Sequence, residues 1–122
     1  MIKRKLELAL EEKGHVVAEV QVYDVPRTLL KTRSNQDGSW MYLHRLWVAR
    51  KYRKNGHAKR LMKTLLFITD AMGESLVLRV LPFEANGATR RCLIRFYESF
   101  GFRQIKVPFK DIMIRRVDKS RW

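Results

Sequence analysis

LHRLWVARKYRKNGHAKRLM, residues 43 to 62, decides the fold of this chain. Its beginning completes a longer run, WMYLHRLWV (40–48), whose aromatic and branched side chains read as a central strand. Its end opens a helix. From about His57 to Met72 the apolar residues Ala58, Leu61, Met62, Leu65, Leu66 and Met72 recur at helical spacing, and Gly73 is a natural stop. Between strand and helix lies a bend holding one glycine and several cations. A helix that starts there presents amide hydrogens with no intrahelical acceptor, at the positive end of its dipole, and so makes an anion site. Gly56 lets the backbone turn and lets an oxygen approach with no side chain in the way. Ala58 keeps the next position small, and Arg53, Lys54, His57 and Lys59 supply charge around it. The simpler alternative is a glycine that only starts a helix, with the cations as a solvated face.

Upstream, alternation governs. In IKRKLELALEE the apolar Ile2, Leu6, Leu8 and Leu10 share one parity, opposite Lys3, Lys5, Glu7 and Ala9, as in a half-buried strand. The same residue types favour helix. The glycine-bearing turn EEKGH and the β-branched run VVAEVQVYDV behind it select a hairpin instead. Pro26 ends the second strand, and RTLLKTRSNQDGS (27–39) is a polar connection long enough to suit a working loop.

Downstream, SLVLRVL (75–81) is a nearly continuous apolar run between Gly73 and Pro82 and reads as a buried strand. Thr89 caps a helix with the stripe Leu93, Phe96, Tyr97 and Phe100, stopped by Gly101. FRQIKV and DIMIRRV follow as two strands joined around Pro108. This order predicts an α+β domain over residues 1–117, with a mixed, mostly antiparallel sheet of about six strands and two main helices. The strands at the two ends of the unit from Trp40 to Leu81 should be parallel. Residues 118–122, DKSRW, read as a basic, loosely held tail.

A chain of 122 residues has the size of one domain. With 46% hydrophobic and 31% charged residues its composition is that of a soluble globular protein. No run approaches the roughly 18 apolar residues of a spanning helix, and Met1-Ile2-Lys3-Arg4 leads into acidic residues where a secretory signal would be apolar. The single cysteine, Cys92, excludes an internal disulfide and fits a reducing cytoplasm, the expected location. The 26 Lys and Arg against 12 Asp and Glu leave a net charge of +14. Such an excess attracts polyanions, whether nucleic acid, an acidic protein face or a phosphorylated small molecule. Neither zinc-ligand spacing nor a glycine-aromatic RNA-binding signature accompanies it, so no metal is expected, and charge by itself names no chemistry.

Context decides between the two readings of the bend. Residues 43–62 resemble the acetyl-CoA-binding segment of the GNAT superfamily of N-acyltransferases, where Arg/Gln-x-x-Gly-x-Gly/Ala follows a central strand. Arg53, Gly56 and Ala58 stand at the fixed positions. LIRFYESFGF (93–102) resembles the second family segment, a helix with an aromatic-tyrosine pair followed by Gly-Phe. The two segments have the family's separation with a strand between them, and the resemblance covers roughly residues 40–117.

The resemblance implies direct transfer of acetyl from acetyl-CoA to a primary amine in a ternary complex. The diphosphate would lie on the amides of Lys54, Asn55, Gly56, His57 and Ala58, with Arg53 beside them. The pantetheine arm would run like an extra strand along Leu46, Trp47 and Val48, where two parallel strands splay apart, and the acceptor would enter from the other side of the sheet. His44 matches a histidine used as a base in serotonin N-acetyltransferase, and Tyr97 matches the tyrosine that protonates the departing thiolate. A base is useful because an amine of pKa near 10.4 is neutral in only about one molecule in 2,500 at pH 7, a deficit of roughly 4.6 kcal/mol. A histidine bonded into the sheet core is the alternative for His44, and packing beside Phe96 is the alternative for Tyr97. His57 and His15 suit the phosphate loop and a turn, and the place of Cys92 near a helix start suits packing.

The chain departs from the family by lacking the usual opening strand and helix pair, as in compact members known from bacteriophages. An asparagine that normally precedes the tyrosine more closely is found at Asn86. An open acceptor wall favours a macromolecular amine, on a lysine or an N-terminus, and the charge favours an acidic macromolecule. Two alternatives stand beside this: a basic module that binds CoA or nucleic acid without turnover, and an enzyme acetylating aminoacyl-tRNA. Monomer and homodimer are both compatible with the sequence.

Overall fold

The computed structural model describes residues 5–24, 39–53, 55–80, 89–105, 111–118 and 120. Most of the 27–39 connection, Lys54, Asn86, Pro26, Pro108 and most of the C-terminal tail lie outside the described residues.

A hairpin opens the described chain. β1 (Lys5–Glu12) and β2 (His15–Asp24) pair antiparallel, and Glu12 faces His15 across the turn. The two turn residues, Lys13 and Gly14, have φ of 53° and 83°. Two successive left-handed residues form the type I′ turn whose twist matches that of the flanking strands. β3 (Ser39–Val48) pairs antiparallel with β2, and α1 (His57–Ala71) follows after a single 3-10 turn, Arg50–Tyr52. β4 (Glu74–Arg79), α2 (Arg90–Glu98), β5 (Arg103–Ile105) and β6 (Ile112–Arg115) complete the chain. The six strands lie in the order β1-β2-β3-β4-β6-β5, antiparallel except for β3 against β4. The sequence-based fold, with its one parallel pair joined by the long helix, is the observed one.

Both helices serve one core. Leu61, Met62, Leu65 and Leu66 of α1 and Tyr97 of α2 pack with Val20, Val22, Met41, Leu43, Leu76 and Leu78 of the sheet. Each fully buried aliphatic side chain contributes on the order of 1.5–3 kcal/mol, so this face carries most of the fold. On the opposite face Trp40, Tyr42, Val77, Ile112 and Ile114 form a smaller apolar cluster. That division labels the sheet: one face bears the helices, the other faces away from them.

Two ties fix how α1 sits. Asp70, completely buried, receives Nη1 and Nη2 of Arg115 at 2.8 and 3.0 Å, joining the end of α1 to β6. The Asp118 amide donates to the same carboxylate at 2.9 Å, so this first residue of the tail is docked. At the other helix Thr89 caps α2 as expected, its hydroxyl accepting from the Cys92 amide at 3.2 Å.

Candidate functional site

The site begins where two strands part. β3 pairs with β4 from Ser39↔Glu74 to Leu43↔Leu78 and no farther, although β3 continues to Val48 along β2. The cause is visible in the other ladder. Leu43 faces Val22 and Arg45 faces Gln21, so His44 is an extra residue with no partner on β2, a β-bulge. A bulge bends its strand and re-aims its side chains. Before it, Met41 and Leu43 face the helices; after it, Leu46 and Val48 do. The parity change is already in the sequence, as the three-residue step from Leu43 to Leu46.

The gap opened by the bulge is a cleft of about 470 Å³, lined from the helix side by Leu46, Val48 and Tyr97 and from the other face by Tyr42, His44 and Arg79. Its volume falls within the roughly 300–1,000 Å³ of small-molecule sites. The cleft therefore joins the two faces of the sheet.

At one end stands the start of α1. The Ala49 amide donates to Val17 at 2.8 Å and pins the end of β3, and the Arg53 Nε donates to the Val48 carbonyl at 3.1 Å. Gly56 takes the N-cap position at φ 81° and ψ 8°, with no side-chain cap and no acidic residue in the first turn. Left-handed backbone of this kind costs an L-residue roughly 1–2 kcal/mol, which is why a glycine stands here. A Cβ built on Gly56 would meet nothing within 4 Å, so the space before these amides is open. An uncapped, positively polarised helix end on an open cleft is a fitting seat for a diphosphate.

His57, read from the sequence as part of the phosphate loop, lines the cleft with its ring turned inward. It is 4% exposed, its Nε2–H donates to a carboxylate oxygen of Glu12 at 2.9 Å, and its ring meets the Tyr52 ring edge-on at 5.8 Å. It ties the tip of the β1–β2 hairpin to the helix start. Ala58 and Lys59 line the cleft, whereas Asn55 is exposed outside its lining. The Trp47 side chain is also outside, on the face away from the helices, with the Arg45 guanidinium 5.7 Å from its ring centre.

His44 is exposed, with its ring 5.1 Å from Tyr23 and 6.3 Å from Tyr42 on the face away from the helices, so it is not a core histidine. Tyr97 approaches from the helix side, 8% exposed, packed against Phe96 and Phe102 at 5.4 and 5.7 Å. Burial pushes its phenol up to about 12. Full proton transfer from such a phenol to a thiolate of pKa near 8.5 is uphill by about 5 kcal/mol, so Tyr97 acts as a hydrogen-bond donor more readily than as a proton source. Cys92 is exposed on the cleft and not packed inside, contrary to its sequence-based placement.

Three residues at the site were not singled out in the sequence. Glu12 is 45 positions from His57 and carried no signal. Tyr52 sat unnoticed inside the signature. Arg79 had a signal, as the one cation within the apolar run SLVLRVL. Among the described residues no group of three His, Cys, Asp or Glu is placed to hold a metal ion, and no helix is long and apolar enough to cross a membrane.

Residues 3–102 match the model of the acetyltransferase (GNAT) family. The fold is also that of solved acetyltransferases. PaiA N-acetyltransferase of Thermoplasma acidophilum, in complex with coenzyme A, aligns with a TM-score of 0.64 at 18% identity over 92% of this chain and 60% of its own. The ribosomal-protein-S18-alanine N-acetyltransferase of Escherichia coli gives 0.65 at 22% over 94% and 70%. NAA60 of Arabidopsis thaliana, in complex with a bisubstrate analogue, gives 0.67 at 18% over 93% and 76%. The chain thus spans less than two thirds of the Thermoplasma enzyme. No curated protein sequence matches it significantly.

Proposed function

Because this chain belongs to the GNAT family of acetyltransferases, we propose that it moves acetyl from acetyl-CoA to a primary amine of a protein, a lysine or an N-terminus, by direct attack in a ternary complex. The observation that carries this reading is the uncapped start of α1 at Gly56, which opens onto the gap between β3 and β4. The amides from Asn55 to Ala58 would hold the diphosphate, and Leu46 and Val48 would flank the pantetheine arm. Arg53, drawn back onto the Val48 carbonyl, fixes the loop and leaves its outer nitrogens for charge.

The cosubstrate supplies an acetyl thioester. His44 takes the proton that the acceptor nitrogen loses as its bond to the acetyl carbon forms and the bond to sulfur breaks. Tyr97 donates a hydrogen bond to the departing sulfur from the helix side. The two residues reach the cleft from opposite faces of the sheet, which suits an acceptor and a cosubstrate arriving from opposite sides. The solved ribosomal-protein-S18-alanine N-acetyltransferase that shares this fold supports a protein amine as acceptor.

Release of thiol from acetyl-CoA in the presence of peptides bearing free amines tests the reading. His44→Ala should lower turnover about a hundredfold, the usual worth of a general base, while acetyl-CoA affinity stays. Thermal stabilisation by acetyl-CoA without thiol release on any amine would overturn the enzyme and leave a binding module.

A further inference from the structure

Beyond the last parallel pair, Leu43↔Leu78, each strand contributes one residue to the mouth of the gap: His44 from β3 and Arg79 from β4. Arg79 lies two positions after Val77, hence on the same face, away from the helices. Tyr42 and the ring of His44 occupy that face as well. Arg79 is exposed and lines the cleft, and its guanidinium makes no hydrogen bond or ion pair with any described residue.

Two described carboxylates of this face are engaged elsewhere. Glu7 accepts from Gln21 at 3.0 Å, and Glu19, opposite Trp47, stands 4.0 Å from Arg45. Among the described residues, an amine arriving beside His44 therefore meets aromatic rings and the guanidinium of Arg79, which no described carboxylate engages. A bare ammonium is repelled there, whereas an amine accompanied by a carboxylate is attracted, since a guanidinium binds carboxylate through two parallel hydrogen bonds.

We propose that Arg79 is a specificity-determining residue that selects acceptors carrying a carboxylate close to the reacting amine, so that the substrates are acidic peptides. This rests on the protein amine proposed above and narrows it. Arg79 binds the carboxylate, the neighbouring amine is set against His44, and the acetyl group reaches it through the gap. The net charge of +14 favours the same acceptors at longer range.

The test compares synthetic peptides with one free amine and Glu, Gln or Lys at the adjacent position, read as kcat/KM for thiol release. The wild type should prefer the Glu peptide over the Gln peptide about tenfold or more, as expected of a charge-assisted pair. Arg79→Gln should bring that ratio close to one, and Arg79→Glu should favour the Lys peptide. Turnover on Glu and Gln peptides alike, or a preference that survives in Arg79→Gln, overturns the carboxylate selection and leaves the acetyltransferase standing. Binding of acetyl-CoA with no peptide acetylated overturns the protein acceptor and this assignment with it. If Arg79→Gln leaves the peptide preference but abolishes binding of a single-stranded RNA oligonucleotide, Arg79 reads phosphate and the proposal falls.

Discussion

Tyr97 shows how one residue's surroundings set what it can do. Its phenol is enclosed by Phe96, Phe102 and the core, and burial raises its pKa from 10.0 to about 12. A raised folded-state pKa means that stability is intact below pH 10, where both states hold the proton, and is lost as the pH climbs through 12. The loss over that window is about 3 kcal/mol for a two-unit shift. Denaturation of wild type and Tyr97→Phe between pH 9 and 12 should show the wild type losing that much relative to the variant; parallel curves would place the phenol in water. Tyr97 was legible in the sequence because an aromatic-tyrosine pair before Gly-Phe is a local pattern. The direction of its shift was not, because burial is supplied by Phe102 and the core beyond the helix.

Among the elements, β3 and α1 form the site and the ties around them fix how α1 sits. The bulge at His44 parts β3 from β4, the uncapped helix start faces the opening, and the Asp70–Arg115 pair holds the far end of α1 to β6. Removing one partner of a buried pair leaves the other charge uncompensated. Asp70→Ala should therefore cost about 3–5 kcal/mol in urea denaturation, and adding Arg115→Ala to it should cost far less than Arg115→Ala in the wild type. A single-variant loss below about 1 kcal/mol would show the pair to be dispensable. The strands, helices and parallel pair could be read from periodicity, glycine stops and the Thr89 cap, which act within a few residues. Asp70–Arg115 and Glu12–His57 each span 45 positions, and no local pattern encodes such a partner. The bulge lies between these cases: the step from Leu43 to Leu46 carries it, but a strand read from its aromatic and branched residues conceals it.

For the whole molecule, the proposed function depends on the gap between β3 and β4, which joins the two faces of the sheet. The helix-bearing face presents the amides of α1 and the phenol of Tyr97, and the other face presents His44, Arg79 and the aromatic rings. The net charge of +14 suits both anions proposed above, a diphosphate on one side and an acidic acceptor on the other. The sequence disclosed the first attraction through Gly56 and its neighbours. It pointed to the second only through the net charge, because Arg79 gains its meaning only from ending β4 opposite the bulge. The central claim is that the backbone at Gly56 holds the cosubstrate, and calorimetric titration of acetyl-CoA into wild type and Gly56→Val tests it most directly. A Cβ-branched side chain would both strain the left-handed turn and fill the open space before the amides. With the variant's circular dichroism unchanged, affinity should fall about a hundredfold or more; equal affinity of the two proteins would contradict the account.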